Sequence, residues 1–292
     1  MSQDHTLRMT EGAIAPLLVR FFVPLFLSAL VQQLYTLTDA VIVGRFAGTL
    51  AFGALDVASN FLRLPLALFF GLAGGATILI AQSFGSGNYR RLNRTIHTLM
   101  LFTVLCGLAL ALLGTLITPW GISWMRVPQE MQSDATVYMN LLYWGTGLLF
   151  LYNVAAAVLR ALGDSKRPFY YLFLTAVLNI LLDLLFVAVF NWGVAGAALA
   201  TIISTGIASF FAIKALCRLD SRYALRWRRL KFHGVEFKMT LKLGLPMAAQ
   251  SFLYPLANMI IQREINSFGT TAIAAWQLWA RWTWWSGLWA TL

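Results

Sequence analysis

Apolar runs long enough to cross a lipid bilayer recur along the 292-residue chain. About 20 apolar residues span the hydrocarbon core as an α-helix. Because lipid cannot satisfy backbone hydrogen-bonding groups, continuous runs of this kind predict helices rather than the alternating strands of a barrel. We predict eight membrane segments: Pro16–Val43, Ala54–Ser83, Thr95–Pro119, Thr136–Ala161, Pro168–Phe190, Val194–Leu216, Leu241–Asn266 and Thr271–Leu292.

Composition and charge place the chain in a membrane. Hydrophobic residues make up 59% of the chain and charged residues 11%, whereas soluble domains carry about 25% charged residues. The net charge of +11 lies in short loops rather than on one soluble face, so we predict no nucleic-acid partner. With the N-terminus inside, seventeen Lys and Arg residues fall on the cytoplasmic side and three on the outer side. The positive-inside rule therefore predicts a cytoplasmic N-terminus.

The aspartates Asp39 and Asp183 lie inside these apolar segments. A carboxylate in hydrocarbon costs at least about 2.5–3.5 kcal/mol and normally faces a polar interior or a cation. Asn179 precedes Asp183 by four residues, so both side chains share one helical face. Counted along the helices, Asp39, Asp183 and Thr201 lie roughly 6, 10 and 12 Å below the outer surface. The four side chains thus occupy overlapping depths, but the sequence does not establish that they meet.

An internal repeat relates the seventh segment to the first. A shift of 222 residues brings Pro24 onto Pro246 and the motif beginning at Phe46 onto the one beginning at Phe268. Six segments separate the two starts, so the repeats run parallel, as in transporters with a central substrate site. We predict an all-α integral membrane fold with a six-helix N-terminal lobe (1–217), a basic cytoplasmic linker (218–240), and the first two helices of a second, incomplete lobe (241–292).

Several motifs together resemble the multidrug and toxic compound extrusion (MATE) family, in particular its DinF-like branch. No single motif is diagnostic, but their order and spacing are specific, and the resemblance extends from about Pro24 to Gln277. The motifs are QLYTLTD at 33–39, VGRF at 43–46, QSFGSG at 82–87, RALGDSKRP at 160–168, LNILLD at 178–183 and GVAGAALAT at 193–201. After Leu278 a tryptophan-rich end departs from the family pattern.

The resemblance implies twelve helices in two lobes and export of amphiphilic compounds in exchange for inward H⁺ or Na⁺. It also implies a multi-pass protein of the bacterial inner membrane, with small organic substrates and no cofactor beyond the coupling ion. The implied cation or proton site comprises four residues: Asp39, Asn179, Asp183 and Thr201. Two nearby carboxylates in low dielectric bind a proton or share a cation, and the two neutral oxygens suit Na⁺ as well as a proton-linked network.

Other polar and aromatic side chains are candidates for a substrate cavity. Gln32 and Tyr35 share a helical face with Asp39, which can line a wet cavity or lie close to the surface. Three further candidates, Tyr143, Tyr152 and Asn153, lie in the fourth segment, where packing is an equally good explanation. Two alternative functions stay open: a non-transporting membrane fragment and a lipid-linked glycan flippase of the same superfamily. We expect no enzyme, because the segments contain neither paired histidines nor a Ser/Lys dyad.

Overall fold

Residues 14–276 are described by the computed structural model and form long helices joined by short turns. The helices are α1 (Ile14–Phe46), α2 (Thr49–Gly85), α3 (Tyr89–Trp124), α4 (Gln129–Ala161), α5 (Lys166–Asp183), α6 (Gly193–Cys217) and α7 (Gly234–Asn266). A further helix begins at residues 270–276. The rest of the predicted segment Thr271–Leu292, with its tryptophan-rich end, lies outside the described residues.

Six helices, α1 to α6, are long and apolar enough to cross a membrane, which confirms the first six predicted segments. Helix α7 is not among them, although it is as long as α1. It carries the polar residues Gln250, Asn258 and Gln262, which lower its mean hydropathy. It nevertheless packs extensively along α2, and its polar Gln262 is buried there. The all-helical membrane fold that the sequence predicts is therefore confirmed.

The repeat is also visible in the helices themselves. Both α1 and α7 contain 33 residues, and their starts and ends are each 220 positions apart. Each carries a proline in its first half, Pro24 in α1 and Pro246 in α7. A proline inside a helix removes a backbone hydrogen bond and favours a bend at that point. The two helices thus agree with the sequence repeat to within two residues.

The fifth predicted segment, Pro168–Phe190, is not one regular helix. Helix α5 ends at Asp183, and the chain continues as a π-helical segment over Leu184–Val189. The backbone N–H of Phe190 donates to the carbonyl of Leu185, 2.9 Å away. The wider turn packs against Gly196, where a Cβ would lie only 3.0 Å from the Phe186 Cβ. The hydrophobic periodicity of the sequence could not reveal this π-helical segment because all six of its residues are apolar. Such π-turns are frequent at functional sites.

Two packing cores fill the described bundle. One lies toward the predicted outer ends of the helices and includes Val43, Ala54, Met131 and Val194. The other lies toward the predicted cytoplasmic ends and includes Leu92 of α3, Leu216 near the end of α6, and Tyr223 of the linker. Helices α1 and α5, which carry Asp39 and Asp183, pack against each other beside the outer core. This arrangement brings Asp39 and Asp183 to the same depth of the bundle.

The linker is shorter than predicted. Helix α7 begins at Gly234, so residues 234–240 are helical rather than part of a 218–240 linker. This first part of α7 is anchored by Glu236, which is buried and faces Arg94 of α3 with 3.7 Å between charged atoms. The polar composition of these residues concealed the helix because Glu236, one of its charged side chains, pairs with a neighbouring helix instead of facing solvent.

Candidate cation or proton site

Four helices contribute to one polar cluster in the predicted outer half of the bundle. Helix α1 supplies Tyr35 and Asp39, α5 supplies Asn179 and Asp183, and α6 supplies Thr201. Helix α4 adds a residue that the sequence analysis did not single out, Tyr138. Asn179 and Asp183 are fully buried, with 0% of each residue exposed. The structure therefore brings together all four residues of the predicted site.

The carboxyl groups of Asp39 and Asp183 lie within hydrogen-bonding range of each other. Two ionised carboxylates have only acceptor atoms, so this approach requires a proton or a cation between them. Oδ1 of Asp183 is buried and has no hydrogen-bond donor among the described residues. A buried acceptor without a donor is costly. A proton or cation bound at this pair would supply what the oxygen lacks.

The Asn179 amide connects this pair to α6. In the orientation that satisfies both neighbours, its nitrogen donates to Asp183 Oδ2 at 2.7 Å. Its oxygen then accepts from the backbone N–H of Thr201 at 3.2 Å. The opposite orientation leaves a 3.3 Å contact between the nitrogen and Thr201 Oγ1 and turns the amide oxygen toward a carboxylate. We assign the first orientation because acceptor then meets donor at both ends.

Two tyrosines close the cluster on its α1 and α4 sides. The Tyr35 hydroxyl hydrogen-bonds to the Thr201 side chain and lies close to both aspartates. The Tyr138 hydroxyl hydrogen-bonds to Ser59 of α2 and lies close to both aspartates as well. The depth of Tyr138 is the signal that could have identified it. It lies nine residues into α4 from the predicted outer side, or about 14 Å, close to the depth of Thr201.

Among the predicted cavity residues, Tyr35 reaches the aspartates and the other four lie elsewhere. Gln32 is exposed on α1. Tyr143 is buried in the outer core, where its ring packs on Gly114. Tyr152 belongs to the other core, and Asn153 donates to the Leu149 carbonyl of its own helix at 2.9 Å. These five side chains do not converge on one cavity in this structure, and their contact with substrate stays a prediction.

The MatE family profile matches residues 24–185, which is more than half of the chain. The chain belongs to the MATE family. The matched range contains Asp39, Asn179 and Asp183, three of the four predicted site residues. Members of this family are membrane transporters, so the family also sets the class of activity to be considered.

Similar MATE proteins occur among bacterial transporters. The probable multidrug resistance protein YoeA of Bacillus subtilis is 32% identical over 264 residues, covering 87% of this chain and 57% of YoeA. The probable multidrug resistance protein YpnP of the same organism is 29% identical over 271 residues, covering 91% of this chain and 59% of YpnP. The chain thus spans less than two thirds of the length of these relatives.

A solved structure shares the fold. The MATE multidrug transporter DinF-BH, determined in complex with rhodamine 6G, superposes with a TM-score of 0.85 over 96% of this chain and 63% of its own, at 23% identity. A DinF structure is therefore among the close neighbours of this chain. At this identity the likeness establishes the helical arrangement, and residue roles rest on the geometry described above.

A second polar network, also missed in the sequence, joins α2 to α7. The Asn60 amide donates to Asp56 Oδ2 at 2.9 Å and approaches Gln262 Oε1 at 3.4 Å. Gln262 in turn donates to Asn266 at 3.0 Å, and Asn266 donates to the Met125 carbonyl at 2.8 Å. Asp56 and Asn60 are four residues apart, as Asn179 and Asp183 are, so the same pattern could have identified them. The network connects the N-terminal lobe to the start of the second repeat.

Replacing Tyr138 with Phe is expected to weaken binding of the coupling ion about fivefold, because it removes one hydroxyl dipole beside the carboxyl pair. Calorimetric titration of the purified chain with Na⁺ and with protons measures this change. Tyr143→Phe is the matched control: it removes a hydroxyl from the same helix at a buried site within the outer core. Equal weakening in both variants would show that the effect is not local to the carboxyl pair.

Proposed function

We propose that this chain forms the ion-binding lobe of a secondary-active antiporter that exports drugs or other amphiphilic organic compounds in exchange for inward H⁺ or Na⁺. The observation that carries the proposal is the approach of Asp39 and Asp183 inside apolar helices, with the Asn179 amide on the second carboxyl. Intramembrane carboxyl pairs mark ion or proton pathways. The names of the MATE relatives and the DinF-BH complex with rhodamine 6G support the substrate class.

The proposed coupling uses the repulsion between the two carboxylates. Without a bound ion, both groups are charged, close together and poorly hydrated, which favours a conformation that separates or hydrates them. A proton or Na⁺ removes that repulsion and lets α1 pack against α5, as it does here. Substrate and ion then compete because the ion binds one conformation better and the substrate binds the other conformation better.

The chemistry of the cluster accommodates either coupling ion. A proton needs one carboxyl oxygen as donor and another as acceptor, and the Asp39–Asp183 approach provides both. Na⁺ needs several oxygen ligands, and Asn179, Thr201 and Tyr35 add neutral oxygens to those of the carboxyls. We therefore propose one site that H⁺ and Na⁺ compete for, with apparent affinities that belong to the pair rather than to either residue.

We place the protein in the inner membrane of a bacterium, with its N-terminus in the cytoplasm. The distribution of Lys and Arg supports this orientation, and the bacterial sources of the relatives support the location. The proposed partners are the lipid bilayer and small organic substrates. Cofactor chemistry and catalysis have no part in this proposal, because an ion gradient is sufficient to drive antiport.

Dye transport in proteoliposomes tests the function. We expect rhodamine 6G, the compound in the DinF-BH complex, to move against its gradient when a pH or Na⁺ gradient is imposed. This chain is compared with a version extended at its C-terminus to the length of YoeA. Transport by the extended version alone, dependent on the gradient, supports the antiporter. Gradient-independent lipid translocation would favour the flippase, and inactivity of both versions would contradict transport.

A further inference from the structure

A basic pocket of about 680 Å³ opens between the start of α3 and the linker, on the predicted cytoplasmic side. The first turns of α3 form one wall, and the linker forms the other. Its lining includes four cationic side chains and two histidines: Arg90, Arg94, Arg222, Lys231, His97 and His233. The pocket lies apart from the carboxyl pair, which is in the opposite half of the bundle.

The pocket is built by specific contacts. His97 of α3 is buried, and its Nε2 accepts from the backbone N–H of Arg226 at 3.3 Å. The backbone N–H of His233 donates to Thr98 Oγ1 at 3.1 Å. These two contacts fasten the linker to α3 on either side of residues 227–232. The cationic side chains therefore project from a fixed backbone, which lowers the entropy cost of holding a ligand.

The charges in the pocket are only partly balanced. Arg94 faces Glu236 at 3.7 Å, and Arg222 binds Asp220 at 2.6 Å while its guanidinium stacks 4.0 Å above the Tyr89 ring. The hydrogen bonds from Arg222 hold the pKa of Asp220 below its usual value, so that carboxylate stays charged. The charges of the other two cationic side chains are not balanced, since neither Arg90 nor Lys231 makes an ion pair within the described part of the chain.

These two cations are exposed and line the same pocket. Two positive charges that line one concavity favour an anion, and a phosphate group offers several acceptor oxygens to guanidinium and ammonium donors. Cationic clusters at the cytoplasmic end of membrane helices commonly bind the phosphate of a lipid headgroup. The charge alone is also compatible with free phosphate.

Exposed apolar side chains beside the pocket decide between these sources. Trp227, Phe232 and Val235 are 44%, 48% and 67% exposed, although all three are apolar and lie in or beside the linker. Tryptophan and other apolar side chains at such positions enter the boundary between headgroups and acyl chains. The linker thus combines apolar groups suited to the membrane boundary with cations suited to phosphate.

We propose that this pocket binds the phosphate headgroup of an anionic phospholipid in the cytoplasmic leaflet, with Arg90 and Lys231 as its principal ligands. The bound lipid then fastens the linker, and with it the first turn of α7, to α3. This site is independent of the antiport proposal, because it involves neither the carboxyl pair nor the substrate.

The test titrates the purified full chain in neutral detergent with dioctanoyl phosphatidylglycerol, dioctanoyl phosphatidylcholine and glycerol phosphate, and measures thermal stability and the apparent dissociation constant. The pocket variant is Arg90→Gln with Lys231→Gln. The matched control is Arg228→Gln with Lys238→Gln, which removes one Arg and one Lys from exposed positions outside the pocket lining. Each Lys or Arg near the membrane surface contributes about 1 kcal/mol, or about fivefold in affinity. The pocket variant lacks two of them and should therefore bind the anionic lipid about 30-fold more weakly.

Support requires that phosphatidylglycerol stabilises the chain more than phosphatidylcholine does, and that the control keeps its affinity within about twofold, since its charges lie outside the pocket. Equal losses in the two double variants would mean general surface attraction and would overturn the site. If glycerol phosphate bound as tightly as the lipid does, the proposal that the ligand is a lipid headgroup would be wrong. Because all four substituted side chains are exposed, both variants should melt like the unmodified chain without lipid.

Discussion

Asp183→Asn is expected to lower the affinity for the coupling ion about 1,000-fold and to abolish ion-driven export by the extended protein. A unit charge about 4 Å from a cation contributes about 4 kcal/mol at an effective dielectric constant of 20, and each 1.4 kcal/mol is a factor of ten. The substitution preserves shape: the new amide oxygen can still accept from Asn179, as Oδ2 of Asp183 does. The measurement is rhodamine 6G efflux driven by a pH or Na⁺ gradient.

Asp134→Asn serves as the control for this substitution. It removes the same charge from α4, four residues before Tyr138 and nearer the predicted outer end of that helix. We expect it to leave gradient-driven efflux unchanged within about twofold, because a group outside the cluster is largely screened. Asp39→Asn should reproduce the loss seen with Asp183→Asn, and the double variant should lose little more, because the two carboxyls act as a unit. Efflux that survives Asp183→Asn would refute the assigned role.

The second large effect concerns the contact between α2 and α7. Gly71 packs on Ala248, and Gly75 packs on Gly244 and Thr240, with backbone against backbone. A Cβ at Gly75 would overlap main-chain atoms of α7, which cannot move aside as a flexible side chain can. Overpacking of this kind costs about 1–3 kcal/mol, more than the roughly 1 kcal/mol that alanine gains over glycine in a helix. Gly75→Ala should therefore be destabilising.

We expect Gly75→Ala to lower the apparent melting temperature of the purified protein by about 5 °C. Gly147→Ala is the matched control, because it lies within α4 and a Cβ there meets no atom within 4 Å. That control should leave the melting temperature unchanged or raise it slightly, since alanine favours the helix. If Gly75→Ala melts like Gly147→Ala, the α2–α7 contact is looser than described.

The sequence was sufficient for those features that depend on one helix at a time. Hydropathy located α1 to α6, and residue counting from the predicted outer side brought Asp39, Asp183 and Thr201 to a common depth. Helical spacing also predicted that Asn179 and Asp183 share a face, and both are fully buried. The repeat predicted α7, whose ends match those of α1 to within two positions.

The remaining features depend on how helices meet, which one sequence does not encode locally. Tyr138 reaches the aspartates because α4 packs against α6 and lies beside α5, and its own neighbours in sequence give no indication of that. The π-helical segment after Asp183 is equally invisible in an apolar run. The end of the predicted linker was taken for a charged loop, whereas Glu236 lies in the first turn of α7 and is buried against Arg94.

The central claim is that Asp39 and Asp183 form one ion site, and a direct spectroscopic titration tests it. Infrared difference spectra of the purified chain, recorded over a range of pH with and without Na⁺, distinguish protonated from ionised carboxyl groups. The account predicts a protonated carboxyl signal that disappears in both Asp39→Asn and Asp183→Asn but persists in Asp134→Asn. It further predicts that Na⁺ displaces this signal if Na⁺ is the coupling ion. A signal that survives either substitution in the pair, or is lost in only one, would contradict a shared site.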